Sequence, residues 1–147
     1  MSALSPVTAS EAELASRLRL AVTRLARRLR TQLPGELSPS QLATLSSVER
    51  LGPLTLGELS SAERVKPPTM TKIVSCLEEQ GLVSRSVDHS DRRVVRVEAT
   101  AAGLRFLDRS RRQKDAYLAE RLRGLDPDDR AALARAAVVL ERLLEDP

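Results

Sequence analysis

Leu14, Leu18, Val22, Leu25, Leu29 and Leu33 recur every three or four residues, the repeat of one apolar face of an α-helix. The spacing predicts a long first helix that ends at Pro34 and Gly35. Arg17, Arg24, Arg27, Arg28 and Arg30 fall mostly off that face, as expected of a solvated side. A second helix opens at Ser38-Pro39-Ser40-Gln41. Ser38 suits the N-cap, Pro39 the first helical position, and Gln41 can close a capping box. Leu42, Leu45, Val48 and Leu51 supply its buried face, and Gly52-Pro53 stops it. Thr55-Leu56-Gly57-Glu58 has the form of another capping box and starts a short helix with Leu59 and Ala62. A brief break at Glu63 to Val65 leads into VKPPTMTKIVSCLEEQGLV, residues 65 to 83. Two helices parted by about three residues fit a helix-turn-helix.

The period then changes from helical to alternating. Leu82 to Val87 and Val94 to Val97 read as two short strands, joined by the polar loop Asp88 to Arg93. A hairpin directly after a helix-turn-helix is a wing. Thr100 can cap a fifth helix that runs to about Gly124. Its apolar stripe starts at Leu104 and Leu107, lapses over DRSRRQKD, and resumes at Tyr117, Leu118 and Leu122. A helix that is polar all round in its middle usually bridges two packed regions through solvent. Asp126-Pro127-Asp128-Asp129 opens the last helix, with an acidic cap and first-turn acids. Leu133, Ala136, Ala137, Leu140, Leu143 and Leu144 form its apolar face. The pattern thus predicts a mainly α chain of two lobes. Residues 38–103 would form a winged helix-turn-helix, and residues 1–37 and 104–147 a helical lobe. The terminal helices would leave apolar surface uncovered on one chain. A symmetric dimer through Leu14, Leu18, Leu133, Leu140 and Leu144 would cover it.

Composition narrows the chemistry. In 147 residues the only aromatics are Phe106 and Tyr117, too few for the stacking platforms of single-strand binders. With one cysteine (Cys76) and one histidine (His89), an intrachain disulfide and a Cys/His zinc site are excluded. No nucleophile–base pair, phosphate loop or carboxylate pair stands out, so an enzyme is not expected, nor any cofactor or metal. No signal-like or membrane-spanning run is visible, and the expected location is the cytoplasm. The net charge of +4 is compatible with a nucleic-acid partner. The span 55–98, however, balances 7 basic against 7 acidic residues. A contact with DNA must therefore depend on where particular charges point.

On a helical wheel, Met70, Ile73, Val74 and Leu77 cluster on one side of the fourth helix, and Pro68, Lys72, Ser75 and Glu79 lie opposite. Thr69 and Thr71 stand on the two edges. Its N-terminal outer face is therefore rich in hydroxyls and basic, suited to phosphate oxygens or base edges in a major groove. Pro68 disfavours helical geometry at Pro67, so the helix is expected to begin at Pro68. Prolines lack N–H groups, which shifts the grip on DNA to Thr69, Thr71 and Lys72. Arg92 and Arg93, at the hairpin tip, suit a narrow and electronegative minor groove. Cys76 lies on the flank of the fourth helix and reads as a small residue packed at an interface. His89, near the wing tip, reads as solvent-exposed.

Thr71-Lys72-Ile73-Val74 with Leu77, Gly81, Leu82 and Val83, followed by Asp91-Arg92-Arg93, hydrophobic strand residues, Thr100 and Gly103, resembles the MarR family of bacterial transcription regulators. The resemblance covers residues 38 to 103 by motif and the remainder by helix layout. It implies that Asp91 orients Arg93, that Arg93 enters the minor groove, and that Arg92 contacts nearby backbone. It also implies a homodimer on a palindromic double-stranded site. In many members a phenolic or lipophilic effector lies between the lobes. The function expected is sequence-specific DNA binding, acting as a repressor by occupying promoter DNA. The alternative is a winged-helix protein-interaction module without DNA binding. Prolines at 67 and 68 replace the small or polar residues the family often has there.

Overall fold

The structure is a computed structural model that describes residues 6–31, 35 and 37–145. Six helices and three strands follow one another as α1 (Ala9–Thr31), α2 (Pro39–Leu51), β1 (Leu54–Thr55), α3 (Leu56–Glu63), α4 (Pro67–Glu79), β2 (Val83–Val87), β3 (Val95–Ala99), α5 (Ala101–Arg123) and α6 (Pro127–Glu145). Leu33 and Pro34, expected at the end of the first helix, lie outside the described residues.

Most helix starts follow from capping chemistry. A box between Thr8 and Glu11, not anticipated from the pattern, opens α1: Glu11 N donates to Thr8 Oγ1 at 3.2 Å and Thr8 N to Glu11 Oε2 at 2.7 Å. The expected box of Ser38 and Gln41 is complete at α2. At α3 only half of the expected box forms. Thr55 Oγ1 accepts from Glu58 N at 3.1 Å, while the Glu58 carboxylate stands 3.9 Å from Arg96. Thr55 is also part of β1, opposite Arg96 of β3.

That strand was not foreseen. Two residues are too short for alternation to register, and β1 exists only because β3 offers it a partner. The sheet order is β1-β3-β2, antiparallel throughout. The second wing strand ends at Ala99 rather than Val97, since Val83 pairs with Ala99. Leu82 lies just outside β2 but is buried.

The buried core belongs to the middle of the chain: Leu45 and Val48 of α2, Leu59 of α3, Met70, Ile73, Val74 and Leu77 of α4, Leu82, Val83 and Val97 of the wing, and Leu107 of α5. Leu51 was expected to join this core and does not; it is 52% exposed at the last turn of α2. Two small polar residues are buried on α2 instead, each bonded locally. Thr44 Oγ1 donates to Ser40 O at 2.8 Å, and the Ser47 hydroxyl donates to the Glu63 carboxylate at the end of α3. Such bonds remove the penalty of burying a hydroxyl.

The start of α5 is pressed against the junction of α4 and β2. Thr100 caps it, accepting from Gly103 N at 3.1 Å and donating to Gly81 O at 2.6 Å. Gly103 packs so closely that a Cβ there would stand 2.1 Å from the Leu82 carbonyl oxygen. Further along, DRSRRQKD is less solvated than its composition suggests. Arg111 grips Glu49 of α2 with two nitrogens, one at 3.1 Å, and Lys114 is half-buried.

No residue of α1 or α6 is buried. Leu14, Leu18, Val22 and Leu25 of α1, and Leu133, Val138, Val139, Leu143 and Leu144 of α6, are all exposed, up to 86% at Leu144. Leu140 is half-buried.

Candidate nucleic-acid interface

The helix-turn-helix is α3, a sharp turn, and α4. Arg64 makes the turn with a left-handed backbone, φ 53° and ψ 43°, and its N–H closes α3. Val65 N donates to Ser60 O at 3.1 Å. Met70, Ile73, Val74 and Leu77 anchor α4, so its remaining faces are fixed in space by the core beneath.

The helix begins one residue earlier than expected, at Pro67. Lys66 is its N-cap, with no side-chain cap bond, and the Lys66 carbonyl accepts from Met70 N at 3.1 Å. The steric restriction that Pro68 places on Pro67 is outweighed because Pro67 already has the φ of a helix and has no N–H to leave unpaired. A helix start normally presents several free N–H donors. Here the first two helical positions carry none.

The expected reading residues are not equivalent. Pro68, Thr69, Thr71 and Lys72 are exposed, and among the described residues Lys72 makes no ion pair. Thr71 commits its hydroxyl proton to its own helix, donating to Pro67 O at 3.0 Å. It can therefore offer an incoming group only its oxygen lone pairs and its methyl. Ser75 is half-buried, and its Oγ accepts from Arg85 Nη2 at 3.1 Å. Cys76 sits where α2 meets α4; its Sγ accepts from Gln41 Nε2 at 3.2 Å.

The wing is organised by carboxylates. Asp88 Oδ1 accepts from Ser90 N at 2.8 Å and from Ser90 Oγ at 2.6 Å, and Oδ2 accepts from Arg96 Nε at 3.3 Å. These bonds, the Ser90 hydroxyl foremost, lower the Asp88 pKa to about 2. Asp91 accepts from Arg93 N at 3.1 Å and from Arg93 Nε at 3.2 Å. The backbone N–H bond is the larger cause that lowers its pKa. The Arg93 side chain is nevertheless 92% exposed: it is tethered at its base and open at its tip. Arg92 and His89 are exposed beside it.

Two arginines that the pattern did not single out complete the wing. Arg96 of β3 connects Asp88 to Glu58 of α3. Arg85 of β2 lies 3.3 Å from Glu78 while donating to Ser75. For Arg85 a signal existed, because it interrupts the alternation of Val83 and Val87. For Arg96 none did, since its partners lie on distant segments.

The arrangement presents hydroxyls, an exposed lysine and a tethered arginine on two projecting elements. Among the described residues no group of three or more His, Cys, Asp or Glu is placed to hold a metal ion, and no helix is long and apolar enough to cross a membrane. A core-anchored second helix with a basic-tipped wing defines a winged helix-turn-helix, a class built for contact with duplex DNA.

The comparisons agree on one family. The MarR family model matches residues 37–95. An uncharacterised HTH-type transcriptional regulator of Mycobacterium leprae is 41% identical over 140 residues, which is 94% of this chain and 98% of that one. A solved structure from Pseudomonas aeruginosa is 34% identical, covers 95% of this chain and 99% of its own, and superposes with a TM-score of 0.83. A MarR family protein from Bacillus stearothermophilus is 28% identical over 93% of this chain and 96% of its own, with a TM-score of 0.73. The chain belongs to the MarR family. It is a transcription regulator with a DNA-binding helix-turn-helix, and not an enzyme.

Proposed function

We propose that this regulator is a cytoplasmic repressor that binds, as a homodimer, a palindromic double-stranded site. Thr69 and Lys72 carry the major-groove contact, with the Thr71 oxygen and the Pro68 ring beside them. Ser75 adds a hydroxyl whose oxygen accepts from Arg85 and whose proton remains available to a phosphate oxygen. Arg93, oriented by Asp91, enters the minor groove, and Arg92 contacts the backbone nearby. The observation that carries this reading is the pairing of Lys72, which makes no ion pair among the described residues and stands on a core-anchored helix, with an Arg93 that is tethered yet 92% exposed. Neither exposed charge adds to the buried core, and both suit a phosphate-lined surface.

The dimer is supported by α1 and α6, which have no fully buried residue within their own chain while exposing long apolar faces. Residues 1–37 and 104–147 form the pairing lobe, including Leu14, Leu18, Leu133, Leu140 and Leu144, and residues 38–103 form the reading lobe. In such a dimer the two reading helices stand about one DNA turn apart, ~34–36 Å.

An effector has a candidate place. A cleft of about 590 Å³ between α1, α2 and α5 is lined by Leu29, Leu42, Ala43 and Ile73, with Arg30 and Lys114 at its edge. Burial, then the charges of Arg30 and Arg111, lower the Lys114 pKa. Glu63 lines the same cleft, so the cleft offers both signs of charge around an apolar floor, and the effector is a small lipophilic or phenolic molecule. Phe106 lines the adjoining hollow and not this cleft, so apolar burial rather than ring stacking holds the tail.

Selection of duplexes from a randomised pool by the purified protein tests the main reading. Enrichment of an inverted repeat is expected. Recovery of unrelated sequences, or of single half-sites alone, contradicts it.

A further inference from the structure

The face of the wing sheet that looks into the protein is apolar at every position but one. Val83 pairs with Ala99 and Val87 with Val95, while Arg85 stands opposite the fully buried Val97. Directly opposed residues share a face of the sheet. The alternation of β2 therefore calls for an apolar side chain at position 85, and an arginine takes its place. Its guanidinium crosses to α4 and meets Ser75 Oγ at 3.1 Å and Glu78 Oε2 at 3.3 Å. Ser75 and Glu78 are one turn apart on α4, so a single planar group spans a helical turn. The Arg85 side chain is 30% exposed and that of Glu78 is 44% exposed. The contact therefore lies at the rim, where the reading helix and the wing come together.

We infer that Arg85 is a positioning residue for DNA recognition, holding the wing at a fixed angle to the reading helix and covering the negative charge of Glu78. This rests on the proposed DNA contacts of Lys72 and Arg93. Those two groups sit on different elements and must reach two grooves of one duplex at once. The core fixes α4, but β2 is an edge strand whose outer residues are exposed. Arg85 joins the two where the core no longer does. Glu78 gives Arg85 a second duty. The last turn of α4 has two acids, Glu78 and Glu79, and no basic residue, so covering Glu78 lessens the negative charge that would repel the phosphates Lys72 attracts.

The test uses the full chain and the duplex that the wild-type protein itself enriches. Affinity is measured against salt, and contacts are mapped by hydroxyl-radical footprinting. Arg85→Met keeps the aliphatic stem and removes the clamp. Its expected effect is about a tenfold loss of affinity. Protection should vanish at the outer, wing-contacted positions and persist at the centre. Arg85→Met/Glu78→Gln should regain part of the affinity without regaining the outer protection. Ser75→Ala/Glu78→Gln frees Arg85 from the other side and leaves the sheet untouched. It should also lose outer protection, and it serves if Arg85→Met melts early. A uniform loss of protection, with the salt slope lowered by about one, would make Arg85 a direct phosphate contact and overturn the clamp. Unchanged affinity and footprint in Ser75→Ala/Glu78→Gln would overturn it as well. If wild-type protein enriches no duplex, the proposed DNA contacts fail first, and that outcome is distinct from either.

Discussion

Gly103→Ala adds a single methyl group, and the structure says where it would go. The new Cβ would lie 2.1 Å from the Leu82 carbonyl oxygen, 3.1 Å from its carbon and 3.3 Å from Leu45 Cδ1. The last contact is tolerable, but the first requires movement of about an ångström between two backbones. Neither backbone is free to move. Leu82 O accepts from Thr100 N at 3.0 Å, and Thr100 holds both Gly81 O and Gly103 N. Overpacking of a tight site costs ~1–3 kcal/mol, and loss of one buried backbone bond adds about 1 kcal/mol. Alanine returns ~0.5–1 kcal/mol through its better helix propensity. The net expectation is a loss of roughly 1–3.5 kcal/mol, or about 2–14 °C in Tm for a chain of this size. Thermal unfolding followed by circular dichroism measures it. Gly57→Ala is the matched control, because its Cβ meets nothing closer than Thr55 Oγ1 at 3.9 Å. It should stabilise the chain by about 0.5 kcal/mol. If Gly103→Ala melts at or above wild type while Gly57→Ala behaves as expected, the close approach of α5 to Leu82 is wrong.

The remaining predictions concern binding, pairing and the wing. Lys72→Ala and Arg93→Ala should each weaken the selected duplex by ~1–3 kcal/mol, read by fluorescence anisotropy; equal affinity at moderate salt would remove those residues from the interface. Leu140→Glu should halve the mass seen in sedimentation without altering the melting of the 38–103 lobe, and a persistent dimer would locate the pairing surface elsewhere. The Asp88 carboxyl should titrate near 2 in a carbon-detected NMR experiment. Its folded pKa lies below the ordinary value, so its support of the wing is fully present above about pH 4 and is lost as pH falls through about 2. A midpoint near 4 would mean that the Ser90 and Arg96 bonds do not form.

The sequence made some of this legible because the relevant physics is local. The Ser38–Gln41 box, the Thr100 cap and the anchored face of α4 depend on residues three or four apart, and each appears where the spacing placed it. What escaped depends on partners far along the chain. β1 is a strand only in the company of β3. Leu51 fits the periodicity of α2 but falls past the edge of the core. Ser75 lies on the outer side of a wheel drawn for α4 alone, and a wheel contains no β2 and so no Arg85. The start at Pro67 went the other way: a pairwise steric rule gave the wrong boundary because the rest of the helix held Pro67 in place. Among the proposed reading residues, type and face could be read from the chain. The commitment of Thr71's proton to Pro67 could not, because it depends on a rotamer.

The core leaves α1 and α6 outside it. In the proposed dimer, change in these two helices is screened chiefly by fit to another copy, while change in residues 38–103 is screened by the packing of a whole lobe. The two surfaces can drift at separate rates. Following a gene duplication, a few substitutions among Leu14, Leu18, Leu133, Leu140 and Leu144 would be enough to stop two sister regulators from mixing, before either has altered the site it reads. The terminal helices thus offer a route to insulation between relatives in one cell that leaves the reading lobe intact.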